Sequence, residues 1–148
     1  MGPDRLSERL AEAHEVVATV LRMVQDGFRS SSEGDLRALF TEDFVDHSPV
    51  LGGDPWARIQ HIKAAFPDAR MTIHDLIVDA DTVAWRWTFE GTHEGEFAGV
   101  PATGRFVSYD GVSIERVRGG KIAEHWDFPD LMAALSQLGA LPPASGPG

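Results

Sequence analysis

The sequence predicts an α+β fold, in which N-terminal helices are followed by a curved antiparallel sheet that wraps around them as a cone with a central pocket. Apolar residues recur every three or four positions up to residue 66, which is the period of helices. From residue 70 onward they alternate with polar residues, which is the period of strands. Because the long helical segments precede the strands, the order favours α+β over an alternating α/β fold.

Length and composition describe one acidic domain. The 148 residues are 43% hydrophobic and 24% charged, which is enough for a buried core. We expect a single domain over 1–140 and a disordered tail over 141–148, which is rich in proline and glycine. The absence of cysteine excludes disulfides and thiolate chemistry.

The net charge of −10 repels phosphate groups, so we expect no nucleic-acid partner and no membrane partner. No apolar run reaches the roughly 18 residues that a membrane span needs. Together with the lack of cysteine, these features predict a cytoplasmic protein.

Three helices are predicted before residue 67. The first covers 5–28, where apolar residues form one face at Leu6, Leu10, Val17, Val20, Leu21, Val24 and Phe28. A short second helix covers 35–40, and 41–49 is predicted to be an irregular rim. The third begins after Asp54, an N-cap residue that precedes proline, and runs to about Phe66.

The second half of the chain predicts strands at 71–78, 83–90, 106–117 and 121–126. A turn at 79–81 joins the first two, and a long Gly/Pro-rich loop covers 91–104. Gly119 and Gly120 form the turn of the last hairpin. A final helix starts within 127–130 and ends near Gly139.

The last predicted strand carries the most informative polar residues. On a strand, Ala123, His125 and Asp127 share one face. If the turn is Arg118-Gly119 with Gly120 as a bulge, Ser113 and Glu115 join that face. If the turn has two residues and no bulge, Val112 and Ile114 join it instead. The sequence leaves both registers open.

Asp127 has two interpretations. It either caps the last helix or acts as a general acid and base at the mouth of the apolar cone, where desolvation disfavours its charged form. His125 either tunes Asp127 or bonds a backbone carbonyl as a rim or core histidine. The pair Asp46-His47 either faces the pocket or caps a turn.

The aromatic residues give a second set of candidates. Trp85 and Trp87 belong to the core or to a subunit interface, or they form a flat wall for a planar ligand. Tyr109 is the only tyrosine. If a phenol stabilises an oxyanion in this protein, that phenol belongs to Tyr109. Trp126 completes the proposed substrate-binding set. The six histidines lack His-x-x-x-His spacing, and we predict no metal site.

Several segments resemble the SnoaL-like polyketide cyclases, which have the nuclear-transport-factor-2-like cone fold. The resemblance covers about residues 15–140. Its segments are Asp43–Pro49, Phe66–Arg70, Val83–Trp87, Gly91–Phe97, Gly99–Gly104, Gly120–Ile122, Glu124–Asp127 and Gln137–Gly139.

The resemblance implies an enzyme without a cofactor that closes a ring of an aromatic polyketide ester in an aldol-type reaction. An aspartate removes an α-proton, and by motif position this is Asp127. The family cyclases often have a histidine fourteen residues earlier, where this chain has Ser113. We therefore expect a hydrophobic aromatic substrate, and a homodimer or tetramer.

Three other functions stay open on the same fold: hydroxylation, epoxide hydrolysis and non-catalytic binding of a hydrophobic small molecule. Hydrolases that resemble limonene-epoxide hydrolase use two carboxylates and an arginine. Here Arg86 is the candidate arginine, but Thr88 stands where that pattern has an aspartate. Asp46 or Glu115 would then supply the second carboxylate.

Overall fold

The computed structural model describes residues 3–29 and 32–141, and its elements follow the predicted order of helices and then strands. In chain order they are α1 Pro3–Gly27, α2 Glu33–Arg37, β1 Phe40–Asp46, α3 Pro55–Ala65, β2 Arg70–Asp79, β3 Thr82–Thr92, β4 Phe106–Arg118, β5 Lys121–Pro129 and α4 Leu131–Gln137. The predicted tail lies outside the described residues from position 142 onward. In the described part of the chain, no helix has the length and apolar character needed to cross a membrane.

The five strands form one open sheet in the order β1-β5-β4-β3-β2. Strands β2 to β5 are antiparallel to their neighbours, but β1 runs parallel to β5, with Asp46 opposite His125. The α+β class is confirmed. The irregular rim predicted at 41–49 is wrong for 41–46, which belong to β1, and the parallel β1 makes the sheet mixed where an antiparallel sheet was predicted. The strand was missed because it is a charged edge strand, and edge strands commonly carry charges that hide the alternation.

One face of the sheet packs against the helices. On β3 the buried side chains alternate as predicted, at Val83, Trp85, Trp87 and Phe89. Val16 and Val20 of α1 pack against this face in the same core cluster. Trp85, Trp87 and Phe89 of this layer form part of the wall of the cavity described below.

The last hairpin combines parts of both predicted registers. Its turn has two residues, Gly119 and Gly120, and both have positive φ, as a type I′ turn requires. The register then shifts, because Arg116 pairs with Glu124 whereas Val117 pairs with Ile122. Ala123 is therefore the extra residue, and this bulge lies in the strand instead of at the turn.

Helix α3 begins as predicted. The carboxylate of Asp54 accepts a hydrogen bond from the backbone N of Ala57 at 3.0 Å, and Pro55 occupies the first turn. The guanidinium of Arg37 also binds Asp54, at 2.8 Å, which connects α2 to the start of α3. These contacts fix the position of a helix that contributes a charged residue to the cavity.

Gly111 of β4 gives a stability prediction. It pairs with Trp87, and a Cβ atom at position 111 would lie 2.2 Å from Cζ2 of that indole ring. Gly111→Ala is expected to lower the free energy of unfolding by about 1–3 kcal/mol, the usual effect of overpacking. The measurement is denaturant unfolding. The control is Gly27→Ala, whose Cβ would meet no atom of another segment closer than 3.8 Å. Equal midpoints for the two variants would contradict the prediction.

Candidate active site

The β4–β5 hairpin brings four polar side chains together on its inner face. Ser113 is directly opposite Asp127, and Glu115 is directly opposite His125. All four are buried, with exposures between 0% and 8%. The bulge at Ala123 produces this arrangement, because without it Trp126 and Glu124 would lie opposite Ser113 and Glu115. Polar groups buried in this way need partners, and the structure supplies them.

Asp127 does not cap the last helix. Strand β5 continues to Pro129, and Asp130 caps α4 by accepting a hydrogen bond from the backbone N of Ala133 at 3.1 Å. The helix-cap interpretation of Asp127 is wrong, because the strand runs three residues further than predicted. The side chain of Asp127 instead lines the cavity.

Both oxygens of the Asp127 carboxylate have protein partners. The hydroxyl of Ser113 donates to Oδ1 at 2.7 Å, and the indole N–H of Trp87 donates to that hydroxyl at 2.8 Å. Arg58 donates from Nη2 to Oδ2. The carboxylate is therefore held by a hydroxyl and by a cation, of which the cation was not predicted from the sequence.

Arg58 is the functional residue that the sequence analysis missed. It lies on α3, and its guanidinium contacts Asp127 through Nη2 and His125 Nε2 through Nη1, the latter at 3.2 Å. A signal was present in the sequence. Arg58 is three residues after Pro55 and four before Ile62, and all three line the cavity. A charged residue on the apolar face of a helix is unusual and points to a function.

His125 and Glu115 form a second buried pair. Both oxygens of Glu115 lie close to Nδ1 of His125, at 2.7 and 2.8 Å, and the indole N–H of Trp85 donates to Glu115 at 3.3 Å. Burial raises the pKa of Glu115. Burial lowers the pKa of His125, but the Glu115 carboxylate outweighs it and raises this pKa overall. His125 therefore has a carboxylate as its partner and not a backbone carbonyl.

Asp46 both shapes a turn and faces the cavity. Its carboxylate accepts hydrogen bonds from the backbone N of Ser48 at 2.8 Å and of Gly53 at 3.0 Å. Burial raises the pKa of Asp46, but these hydrogen bonds outweigh burial and hold the pKa below its usual value. Oδ2 is 3.9 Å from Nη1 of Arg58. Asp46 is thus a fixed negative charge on the far side of the guanidinium from Asp127.

The cavity has a volume of about 110 Å³ and mostly apolar walls. Trp85, Trp87 and Tyr109 line it, as do Ser113, Asp46, His125 and Asp127. The ring of Tyr109 packs against Trp87 and Phe89, and burial raises the pKa of its phenol, which is therefore a neutral donor. Seven of the predicted site residues therefore line one cavity.

His47 and Trp126 do not line this cavity. Their rings stack on each other, with centroids 4.5 Å apart, and His47 Nε2 lies 3.1 Å from Glu124. Trp126 follows His125 on β5 and so points to the opposite face of the sheet, where the guanidinium of Arg116 lies over it. Both residues therefore lie on the outer face of the sheet and away from the cavity, although the sequence predicted that they bind substrate.

Arg86 is also on the outer face, where it binds Asp75 at 2.7 Å. It is not the arginine of a catalytic set, because residues at even positions of β3 point away from the cavity. Among residues 3–29 and 32–141, no group of three or more His, Asp or Glu side chains has the arrangement of a metal site.

The comparisons with known proteins agree on one family. Residues 18–138 match the model of the SnoaL-like polyketide cyclases. The chain is 32% identical over 98 residues to the aklanonic acid methyl ester cyclase DnrD of Streptomyces peucetius, covering 64% of this chain and 68% of that protein. It is 27% identical to the aklanonic acid methyl ester cyclase AcmA of Streptomyces galilaeus, covering 84% and 91% respectively.

Solved structures show the same fold. AclR of Streptomyces galilaeus, a proposed hydroxylase, superimposes with a TM-score of 0.77 at 32% identity, covering 90% of this chain and 86% of that one. IdmH of Streptomyces antibioticus, a proposed polyketide cyclase, gives 0.70 at 34% identity, covering 84% and 98%. The protein is an enzyme of the polyketide cyclase type, and the chain belongs to the SnoaL-like polyketide cyclase family.

Proposed function

We propose that this enzyme closes a ring in an aromatic polyketide ester by an aldol-type reaction, with Asp127 as the acid and base. The observation that carries the proposal is the carboxylate of Asp127, which is 3% exposed, lines an apolar cavity and is held there by Ser113 and Arg58. The names of the relatives support the substrate class, since DnrD and AcmA are cyclases of a polyketide methyl ester.

The proposed reaction is an isomerisation, so substrate and product contain the same atoms. Asp127 takes a proton from the carbon between two electron-withdrawing groups, and the electron pair of that C–H bond moves onto the neighbouring carbonyl as an enolate. The enolate carbon attacks a second carbonyl and forms the new C–C bond. The resulting alkoxide takes the proton back from Asp127. A positioned base of this kind contributes about 10²–10⁴-fold in rate.

Arg58 supplies the positive charge for the oxyanion in this proposal. A guanidinium has five N–H donors, and the hydrogen bonds to Asp127 and His125 use only two of them. Its side chain is 22% exposed, so a substrate oxygen can reach it. Fixed donors in a site that excludes water stabilise developing negative charge strongly, because they need no reorientation during the reaction.

The aromatic walls hold the reacting ring flat. A cavity of about 150 Å³ holds a benzene molecule, so a cavity of about 110 Å³ encloses at most one ring and not a fused system. In the proposal, the reactive end of the substrate lies between Trp85, Trp87 and Tyr109, and its remaining rings extend through the cavity mouth. Flat stacking on these side chains places the acidic proton at Asp127.

The proposal is tested by incubating the purified protein with aklanonic acid methyl ester and with nogalonic acid methyl ester, since relatives are named as cyclases of these two compounds. We expect faster conversion of at least one of them than in buffer alone, with a product of unchanged mass. Reversible formation of the enolate before ring closure also predicts that, in D₂O, the α-proton of the unreacted substrate exchanges with solvent faster than in buffer alone. Binding of both compounds without conversion or exchange would contradict the proposal and favour a binding protein.

One observation favours epoxide hydrolysis as a second candidate. Arg58 lies between two carboxylates, bound to Asp127 and 3.9 Å from Asp46. In this alternative Asp46 removes a proton from water, the hydroxide attacks the epoxide carbon, and Asp127, in its carboxylic acid form, gives its proton to the opening oxygen. The proton taken up by Asp46 then returns to Asp127. Release of a diol that carries one oxygen from ¹⁸O-labelled water, with no cyclised product, would support it over the cyclase.

A further inference from the structure

Glu115 is a fully buried carboxylate for which the proposed reaction has no use. Its exposure is 0%, and it lies behind His125 as seen from Arg58. Moving a carboxylate out of water is strongly unfavourable unless a well-placed partner offsets the lost hydration. A buried charge in contact with the site is therefore a candidate for a role in that site.

The contacts of His125 determine where its proton is. An ionised carboxylate only accepts hydrogen bonds, so Nδ1, at 2.7 and 2.8 Å from Glu115, carries the hydrogen. A guanidinium only donates, so Nε2, at 3.2 Å from Arg58, is the acceptor. A single arrangement satisfies both contacts: an ionised Glu115 and a neutral imidazole with its hydrogen on Nδ1.

We propose that Glu115 is a positioning residue, which acts through His125 to hold the guanidinium of Arg58 across Asp127 and the cavity. The role rests on the proposed function of Arg58 as the group that stabilises the oxyanion. Glu115 fixes the tautomer of His125, so that His125 Nε2 keeps its lone pair and accepts a hydrogen bond from Nη1 of Arg58. This contact leaves Nη2 of Arg58 directed at Asp127. Carboxylates that orient a histidine in this way affect activity without touching the substrate.

The arrangement predicts a pH dependence with a definite sign. Glu115 from β4, Arg58 from α3 and Asp46 from β1 face His125, together with Asp127 on its own strand. Glu115 raises the pKa of His125 against the effect of burial. As the pH falls through this pKa, Nε2 gains a hydrogen that opposes the guanidinium, and Arg58 is displaced. The acid limb of the activity profile should therefore lie at a higher pH in the unsubstituted protein than in a variant that lacks the Glu115 carboxylate.

Two substitutions at position 115 separate the hydrogen bond from the charge. Glu115→Leu removes both, and we expect kcat to fall about 10–100-fold, the usual loss for such an orienting carboxylate, with KM within about twofold. Glu115→Gln keeps an acceptor for Nδ1 and should recover part of kcat. In both variants the acid limb of kcat should move to lower pH. The control is Glu124→Gln, which removes a glutamate from the outer face of β5 and should change neither quantity.

A measurement on the unsubstituted protein does not depend on folding of a variant or on the substrate. ¹⁵N NMR of His125 should show the hydrogen on Nδ1, and the signal should titrate with a pKa above the ordinary value. A hydrogen on Nε2 would overturn the positioning role, whatever the enzyme turns over. Equal kcat for Glu115→Leu and the unsubstituted protein would also overturn it. If Nδ1 carries the hydrogen but the protein shows no cyclase activity, the positioning role of Glu115 stands and only the proposed reaction is rejected.

Discussion

Asp127→Asn is expected to lower kcat with a polyketide methyl ester by about 10²–10⁴-fold, the range that a positioned acid and base contributes. The amide has nearly the shape of the carboxylate but cannot take up the α-proton. KM should change much less, because the aromatic walls that hold the ring are untouched. The measurement is steady-state turnover, together with the enzyme-dependent exchange of the substrate's α-proton for deuterium, which should also fall.

Asp130→Asn is the matched control for this variant. Asp130 lies three residues further along and caps α4, and asparagine caps helices about as well as aspartate. The same chemical change should therefore leave both turnover and stability nearly unaltered. Thermal unfolding of both variants checks that the fold is intact, since Asp127→Asn removes the partner of a partly buried cation. Turnover by folded Asp127→Asn at the unsubstituted rate would rule out Asp127 as the base.

The regular elements other than β1 were predictable from the sequence because each has a strong local signal. The alternation of Val83, Trp85, Trp87 and Phe89 shows which face of β3 is buried, and Asp54 before Pro55 marks the start of α3. The proposal that Asp127 is the catalytic aspartate rests on the family motif, because its local context alone favours a helix cap.

The register of the β4–β5 hairpin was not predictable, for a physical reason. Glycine at 119 and 120 indicates the turn, and the turn alone would have placed Val112 and Ile114 on the face of His125 and Asp127. The bulge at Ala123 reverses this placement. Alanine carries no conformational signal for a bulge, so the outcome depends on burial of Ser113 and Glu115 against partners on other elements.

The network around Arg58 was not predictable either, because it joins residues that are far apart in the chain. Arg58 and Asp127 are separated by 69 positions, and nothing local in either segment indicates the other. A search for histidine and carboxylate patterns passes over an arginine on a helix. The feature that identifies it is its place on the apolar face of α3, which becomes informative once that face is known to line a cavity.

Arg58→Lys is expected to lower kcat by about 10²–10³-fold, the usual effect of removing one donor from an oxyanion site. Lysine keeps the charge, but it presents a single ammonium group in place of a planar fork. It therefore cannot donate to Asp127, to His125 and to a substrate oxygen in the same geometry. The measurement is kcat for Arg58→Lys and for Arg58→Ala, the latter with and without added guanidinium ion, which should restore part of the activity.

The outer face of the sheet supplies the control. Arg86→Lys makes the same change in an arginine that binds Asp75 outside the cavity, and it should leave kcat unaltered. If Arg58→Lys retains full turnover, a positive charge alone suffices and the fork geometry has no role. If Arg58→Lys is impaired whereas guanidinium restores Arg58→Ala, the planar donor pattern is what the reaction uses. That second outcome follows from the structure, because one guanidinium is held between Asp127 and a histidine whose lone pair Glu115 has fixed.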